Sequence, residues 1–320
     1  MNTAVKITVF TAALAASFGA AYGVGGAVGP VSVGSQPAAH AGHAAGTASA
    51  GAGLGSGRAD SPAGGLQVSE AGYTLDLKTP RLDAGQQGEL RFAIRDEAGR
   101  QVTAYQREHD KELHLILASR DQATYRHLHP AKADDGTWST PVNLPAAGDY
   151  RVFADFTPAG KDAKNLILGA DLAASGPYKP AEPPTSSRTA TVDGYTVNLD
   201  GDLRPGAAAE LKLNVTKGGR AVTDLQPYLG AYGHLVALRS GDLAYLHVHP
   251  NGEPGDGTTK PGPEISFTTT APTTGTYRLF LDFQHNGTVR TAAFTVQARA
   301  AGADGGQQEP AGRSTDGHRH

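Results

Sequence analysis

Two sets of three histidines in this chain share one spacing, and imidazole is the commonest metal-ligating side chain in proteins. The members are His114, His127 and His129 in the first set, and His234, His247 and His249 in the second, 120 residues later. In each set the second histidine lies thirteen positions after the first, the third lies two positions further on, and a proline follows. Three imidazoles at one spacing, present twice, predict two three-histidine metal sites with an open fourth position.

Composition limits the ligands that such sites could use. The chain has 320 residues, no cysteine, and a single methionine at position 1. Thiolate zinc sites, iron–sulfur clusters, disulfides and thioether copper(I) sites are therefore excluded. Histidine, carboxylate, tyrosine, backbone and water remain, and this donor set favours copper(II) first and zinc second.

Four further residues are candidates for a fourth ligand, or for a group that holds an imidazole through its other ring nitrogen. Asp155 and Asp282 occupy matching positions in two apolar segments that end in Asp-Phe. Tyr125 and Tyr245 each lie two positions before the close pair of histidines. The same four residues would equally suit a hydrogen-bonded His/Tyr/Asp network without metal.

The histidine spacing predicts a β-hairpin for each set. Ser240-Gly241 is suited to a two-residue turn, since Gly can adopt a positive φ. Pairing about this turn places His234 directly opposite His247, with Cβ atoms about 5 Å apart. His249 then lies on the same face, because side chains alternate along a strand. The first set gives the same result about Arg120-Asp121, with its first two histidines paired.

The elements that must position these hairpins are repeated as well. The segment GDYRVFADF, from residue 148, matches GTYRLFLDF, from residue 275. Helical periodicity is absent outside the N-terminus, and short strands recur about every ten residues. The sequence therefore predicts an all-β protein with two tandem Ig-like, Greek-key β-sandwich domains. Tyr150 and Tyr277 are typical of a tyrosine corner, and Trp138 is predicted to lie in a core.

The remaining segments predict export and flexible connections. Ile7–Val33 carries no charge, which suits a cleaved signal peptide or a membrane anchor, and both place the rest of the chain outside the cytoplasm. The predicted domains are a signal peptide or anchor (1–33), a disordered Gly/Ala/Ser linker (34–66), sandwich 1 (67–176), a Pro-rich linker (177–188), sandwich 2 (189–299) and a disordered tail (300–320). With a net charge of −3 and 18% charged residues, the chain is not expected to bind nucleic acid.

The HLHP and HVHP blocks, and PYLGAYGHLVALRSGDLAYLHVHP as a whole, resemble those of secreted or membrane-anchored actinobacterial tandem β-sandwich proteins. These are loosely similar to YtkA-like domains. The resemblance covers about residues 67–299 and implies an extracytoplasmic association with copper or another heavy metal. The first repeat departs from it, since YQREHDKE replaces the stretch that contains Tyr228-Leu229-Gly230.

Three functions remain open from the sequence. The first is non-enzymatic binding of copper(II) or zinc for buffering or delivery at the cell envelope, with a metal ion, the membrane and an unidentified envelope protein as partners. The second is a cell-surface interaction module with structural histidines. The third is a cupin-like metalloenzyme, since Gly241, His247, His249 and Glu253 fit the first half of a cupin motif. Asp121 and Ala133 break that motif in the first repeat, so no enzymatic activity is expected.

Overall fold

The structure is a computed structural model that describes residues 63–246 and 248–300, without the side chain of His249. The predicted signal peptide or anchor, most of the linker over 34–66, nearly all of the tail and His247 lie outside the described residues. The described residues belong to one compact unit, Ala59–His320. They form strands and no α-helix, and none of them belongs to a helix that could cross a membrane.

The first repeat folds into two five-stranded sheets that face each other. Its strands are β1 (Ser69–Glu70), β2 (Tyr73–Leu77), β3 (Arg81–Asp83), β4 (Gln87–Arg95), β5 (His114–Ser119), β6 (Tyr125–Leu128), β7 (Ala131–Lys132), β8 (Thr137–Asn143), β9 (Gly148–Phe156) and β10 (Leu166–Ser175). The sheet orders are β1-β2-β4-β8-β7 and β3-β10-β9-β5-β6. Only β3 and β10 pair in parallel; the other pairs in these two sheets are antiparallel.

The second repeat has the same architecture. Its strands are β11 (Thr189–Val192), β12 (Tyr195–Asp200), β13 (Ala208–Lys217), β14 (Arg220–Ala221), β15 (His234–Arg239), β16 (Tyr245–Leu246), β17 (His249–Pro250), β18 (Glu264–Thr270), β19 (Gly275–His285) and β20 (Thr288–Ala298). One sheet has the order β11-β12-β13-β18-β17, with β14 beside β13, and the other has the order β16-β15-β19-β20. The expectation of an all-β, Ig-like sandwich class is confirmed.

Each sandwich has its own apolar core, and the tyrosine corners lie at its edge. Trp138 is 3% exposed and stacks on Phe92 in the first core, as predicted. The Tyr150 hydroxyl donates to the carbonyl of Ala146 at 2.8 Å, and the Tyr277 hydroxyl donates to the carbonyl of Thr273 at 2.9 Å. Both predicted tyrosine corners are therefore confirmed, each tying a late strand to the turn before it.

A third apolar cluster joins the two sandwiches. It lies between the outer faces of two sheets, β3-β10-β9-β5-β6 and β16-β15-β19-β20, which we call the facing sheets. Its buried members are Ile116, Ala118, Tyr125, Phe153 and Ile167 from the first repeat, and Val236, Leu238, Leu243, Tyr245 and Phe280 from the second. The contacts are reciprocal: the Tyr125 ring stacks on Phe280 with centroids 4.0 Å apart, and the Tyr245 ring lies 5.6 Å from Phe153.

The predicted register of the hairpins is wrong by two residues. Ala118 pairs with Tyr125 in the first hairpin and Leu238 pairs with Tyr245 in the second. The backbone N–H groups of Ser119 and Arg239 donate to the carbonyls of Thr124 and Ala244, so each loop has four residues and not two. His127 consequently lies opposite Ile116 and not opposite His114. His247, the predicted partner of His234, lies outside the described residues. A shift of two residues keeps the paired side chains of β5 and β6 on their predicted faces, because strand side chains alternate with a period of two. His249 was predicted on the hairpin that begins with His234, but its backbone lies in β17, which pairs with β18 of the other sheet.

The segment before β1 departs from the linker predicted over 34–66. Gly65 donates its backbone N–H to the carbonyl of Ile167, while Gly64 accepts from the backbone N–H of Tyr245. This glycine segment therefore fills a narrow space between the facing sheets. A side chain does not fit there, since a Cβ on Gly65 would approach the Phe153 ring to 2.3 Å.

Candidate metal centre

The histidines lie at one end of the interface between the facing sheets. His114 begins β5 and shares a strand face with Ile116, while His127 follows Tyr125 on the same face of β6. His234 begins β15 and shares a face with Val236 in the other sheet. Strand alternation thus directs His114, His127 and His234 toward the other repeat, and their rings meet where the apolar cluster ends.

The first set forms a compact group. One ring nitrogen from each of His114, His127 and His129 lies within 4.8 Å of those of the other two. The closest pair is His114 Nδ1 and His127 Nε2, at 3.1 Å. Ligands at 2.0–2.1 Å from a tetrahedral metal lie about 3.3 Å apart. The closest pair therefore already has the spacing of two metal ligands.

The outer hydrogen bonds of two rings determine which nitrogens carry hydrogen. His114 Nε2 lies 3.2 Å from the carbonyl oxygen of Glu108, and His127 Nδ1 lies 2.9 Å from a carboxylate oxygen of Asp282. Carbonyl and carboxylate oxygens only accept, so both of these ring nitrogens must donate. In neutral rings, His114 Nδ1 and His127 Nε2 are then two lone pairs facing each other. Only a cation or an additional proton between them removes this repulsion.

His129 favours the cation. Its Nε2 atom is buried and has no hydrogen-bond partner among the described residues. A proton on His127 would satisfy His114 but would leave His129 without a partner. A metal ion accepts lone pairs from all three rings at once, and it leaves the bonds to Glu108 and Asp282 in place.

The second repeat completes the site of the first. Asp282 belongs to β19, and its side chain and that of His127 are 3% and 6% exposed. Its other carboxylate oxygen accepts a hydrogen bond from Thr291 Oγ1 at 2.5 Å. A carboxylate held in this way fixes the tautomer and the orientation of the histidine and makes its free nitrogen a stronger ligand. Asp282 is therefore placed as an orienting group and not as a ligand of this set.

His234 repeats the environment of His114. Its Nε2 atom lies 2.7 Å from the carbonyl of Tyr228, six residues upstream, as Glu108 is six residues upstream of His114. In the ladder, His234 lies opposite Asp282, and His114 lies opposite Asp155. His247 and the side chain of His249 are outside the described residues, so only His234 of the second set is placed.

The remaining candidates lie beside the histidines. Asp155 accepts from Asn165 Nδ2 at 2.7 Å and from the Tyr245 hydroxyl at 3.4 Å. Burial, with the nearby aspartates, raises the pKa of Tyr125 and of Tyr245 well above the ordinary value. Both phenols therefore stay protonated near neutral pH. They suit the interface packing better than ligation as phenolates.

Burial keeps three imidazoles neutral. It lowers the pKa of His114 to about 4, with a smaller contribution from repulsion by His127. It also lowers the pKa of His129 to about 3 and that of His234 to about 3. Neutral imidazole is the form that ligates a metal, so these rings need no deprotonation near pH 7.

His285 shows what a structural histidine in this chain looks like. Its Nδ1 atom accepts from the Tyr195 hydroxyl at 2.6 Å, and its Nε2 atom donates to Asp224 at 3.0 Å. One donor and one acceptor thus satisfy a neutral ring completely. The first histidine set lacks this complementarity.

One neighbouring histidine is not expected from the spacing. His109 lies at the tip of a tight turn with a φ of 49°, and its ring centroid is 5.1 Å from that of His234. The equivalent turn in the second repeat carries Leu229, with a φ of 52°. His109 and His234 help to line a cavity of about 50 Å³ beside the first set. Since His109 has no counterpart, comparison of the two repeats gives no signal for it.

Sequence comparison with protein families gives one assignment. The family described as "Domain of unknown function (DUF8832)" matches residues 67–165 and 190–300. The chain belongs to this family. Each matched segment covers the histidine positions of one repeat. No curated protein matches the chain.

Several solved structures show a distant similarity to the chain. The Escherichia coli adhesin FdeC is 16% identical over 73% of this chain and 65% of its own, with a TM-score of 0.23. The bacterial integrin-binding protein invasin is 12% identical over 71% and 39%, with a TM-score of 0.21. The surface layer protein SbsC, domains 4–9, is 12% identical over 72% and 31%, with a TM-score of 0.22. The chain thus spans less than two thirds of each of these structures, and at such scores no function transfers from them.

Proposed function

We propose that this protein binds a divalent metal ion, copper(II) or zinc, through His114, His127 and His129. The observation that supports this most directly is the pattern of hydrogen-bond partners around the group. Glu108 and Asp282 engage the N–H groups of two rings, so that two lone pairs lie 3.1 Å apart beside a third buried nitrogen that lacks a partner. A metal ion satisfies all three nitrogens together.

The surroundings favour binding and release over catalysis. The cavity beside the first set measures about 50 Å³, whereas pockets for organic ligands typically measure about 300–1,000 Å³. Such a space suits a water molecule as a fourth ligand better than an organic substrate. We therefore assign the site to metal buffering or delivery.

The proposed cellular location rests on the charge-free segment Ile7–Val33. As a signal peptide or an anchor, this segment would carry the histidine sites to the outer side of the cell envelope. The resemblance to YtkA-like, heavy-metal-associated proteins points to the same compartment.

The test is a metal titration of the full chain. A chelator-stripped sample is dialysed against copper(II) or zinc, and bound metal is measured by elemental analysis. His40, His43, His318 and His320 are first replaced by alanine to remove background binding. We expect at least one ion per chain, and the loss of one ion in the His127→Ala, His129→Ala double variant. His285→Ala is the matched control and should keep the full stoichiometry.

The alternative is a cell-surface interaction module whose histidines serve only structure. A specific observation favours it: His127 already lies within hydrogen-bond distance of both Asp282 and His114, at 2.9 Å and 3.1 Å, as in a buried His/Asp network without metal. Less than one ion bound per chain would refute the metal site. Capture of the same envelope protein by the wild type and by the double variant would then support the module.

A further inference from the structure

Two equivalent arginines at the other end of the facing sheets have different surroundings. Arg151 in β9 and Arg278 in β19 follow the corner tyrosines of the two repeats. Arg151 is fully engaged. Its Nη1 atom donates to Asp171 at 2.7 Å, its Nε atom donates to the carbonyl of Gly65 at 2.7 Å, and its Nη2 atom donates to the carbonyl of Leu66 at 2.9 Å.

Arg278 lacks these partners. In the strand ladder Arg151 pairs with Asp171, whereas Arg278 pairs with Thr295, so a hydroxyl replaces the carboxylate. Arg278 Nη1 donates to Thr295 Oγ1 at 2.7 Å, and its guanidinium lies 5.3 Å from the centre of the Phe280 ring. Its Nε atom is buried and has no hydrogen-bond partner among the described residues.

The place of the missing partners is a cavity. It measures about 320 Å³, and Arg278 and Thr295 line it together with Arg120 and Gln122 from the loop of the first hairpin and Ser240 from the second. In the first repeat the chain segment Gly64–Leu66 covers the arginine. The corresponding segment of the second repeat, around Ser186, only borders the cavity.

The charge of the cavity is positive. Arg120 and Arg278 both line it, and Asp121 is the one acidic residue among its lining residues. Arg120 also lies 3.9 Å from the exposed carboxylate of Asp171, so Arg278 is the arginine of this cavity without a carboxylate partner. The Asp121 carboxylate is already engaged, since it accepts from the Ser119 hydroxyl at 2.5 Å and from the backbone N–H groups of Ala123 and Ala181 at 3.1 Å. Burying a guanidinium without a carboxylate partner costs desolvation free energy. An anion with two oxygens offsets this cost best, because it can accept two parallel hydrogen bonds from the guanidinium.

We propose that this cavity binds a small carboxylate anion. The anion would pair with Arg278 as the Asp171 carboxylate pairs with Arg151. The cavity volume falls within the range of small-molecule sites. Because the loops that line it lie at the opposite end of the hairpins from the histidines, the proposal is independent of the metal site.

Succinate is the probe for this site. Thermal unfolding of the metal-free full chain is followed against sodium succinate, with sodium chloride at equal ionic strength as the reference. We expect a saturable rise in Tm for the wild type, and an apparent Kd at least tenfold weaker in Arg278→Gln. Arg100→Gln, the same change at an exposed arginine paired with Asp96, is the matched control and should bind succinate like the wild type.

A second variant supplies the missing carboxylate from within. Thr295→Asp places an acid where the first repeat has one, so it should raise Tm in chloride and abolish the response to succinate. Circular dichroism verifies that both variants fold. The proposal is overturned by a wild type without a saturable shift, by a folded Arg278→Gln with an unchanged Kd, or by a folded Thr295→Asp that still responds.

Discussion

The contact between Asp282 and His127 offers the sharpest test of the metal centre, because it crosses from one repeat to the other. Asp282→Asn keeps the size of the side chain and removes its charge. The asparagine can still accept from His127 through one oxygen. It no longer offers a carboxylate that fixes the tautomer and increases the basicity of the ring. The change is therefore directed at the metal affinity and leaves the packing of the interface nearly intact.

The expected size of the effect follows from burial. The two side chains are 3% and 6% exposed, so solvent screens the interaction little. A hydrogen bond to a charged group contributes about 1.5–3 kcal/mol, which corresponds to roughly 10- to 150-fold in a binding constant. Loss of an outer carboxylate typically weakens metal binding about 10- to 100-fold. We therefore expect the Kd for zinc to rise about 10- to 100-fold in Asp282→Asn.

A competition titration against a zinc chelator measures this change. It uses the chain in which His40, His43, His318 and His320 are replaced by alanine. Asp224→Asn is the matched control. It removes a carboxylate that accepts from His285 at 3.0 Å, outside the candidate centre. This control should leave the zinc Kd unchanged.

A folded Asp282→Asn variant with a zinc Kd within twofold of the wild type would refute the assignment. His127 would then not be a ligand, or Asp282 would not orient it. An equal loss in Asp224→Asn would show that the effect comes from general destabilisation and not from the contact between the repeats.

Two further predictions concern stability. The metal-free protein should lose stability as the pH falls below about 6.5, because the unfolded chain takes up protons that buried His114, His129 and His234 accept only near pH 3–4. The free energy of unfolding should fall by at most about 1.4 kcal/mol per pH unit for each ring. Urea unfolding at pH 7.5, 6.5 and 5.5 measures this slope. A free energy of unfolding that does not change with pH would contradict the prediction. At the interface, Phe280→Ala should cost about 3–5 kcal/mol, since the side chain is 3% exposed. A double-mutant cycle with Tyr125→Ala should give a coupling of about 0.5–1.5 kcal/mol for the stacked pair; a coupling near zero would mean that the rings do not interact.

Strand alternation explains why the faces of His114, His127 and His234 could be predicted although the register could not. The face depends only on whether a residue number is odd or even, and a hairpin loop of four residues in place of two preserves that parity. The partner of His114 across the hairpin depends on the loop itself. Gln122 and Leu243 adopt φ values of 58° and 62° in these loops. Neither residue type favours positive φ, so the sequence does not predict this loop conformation.

The meeting of the two repeats was harder to foresee, because the spacing of the histidines describes each hairpin alone. A signal was nevertheless present. The segment YRVFADF in β9 is buried at every position, which is typical of a strand covered on both faces. An isolated sandwich covers only one face of such a strand. Apolar side chains on both faces of β9, such as Val152 and Phe153, thus indicated a second covering layer, which the matching strand β19 helps to provide.

The geometry of the interface is that of an isologous dimer contained in one chain. Tyr125 contacts Phe280 while Tyr245 contacts Phe153, so the same surface of each repeat meets its counterpart. In such an arrangement each repeat can supply groups to the site of the other, as Asp282 does for His127. Covalent linkage turns association into an intramolecular step and also allows the two halves to diverge. His109, where the second repeat has Leu229, and Thr295, where the first has Asp171, are two such differences, one at each end of the interface.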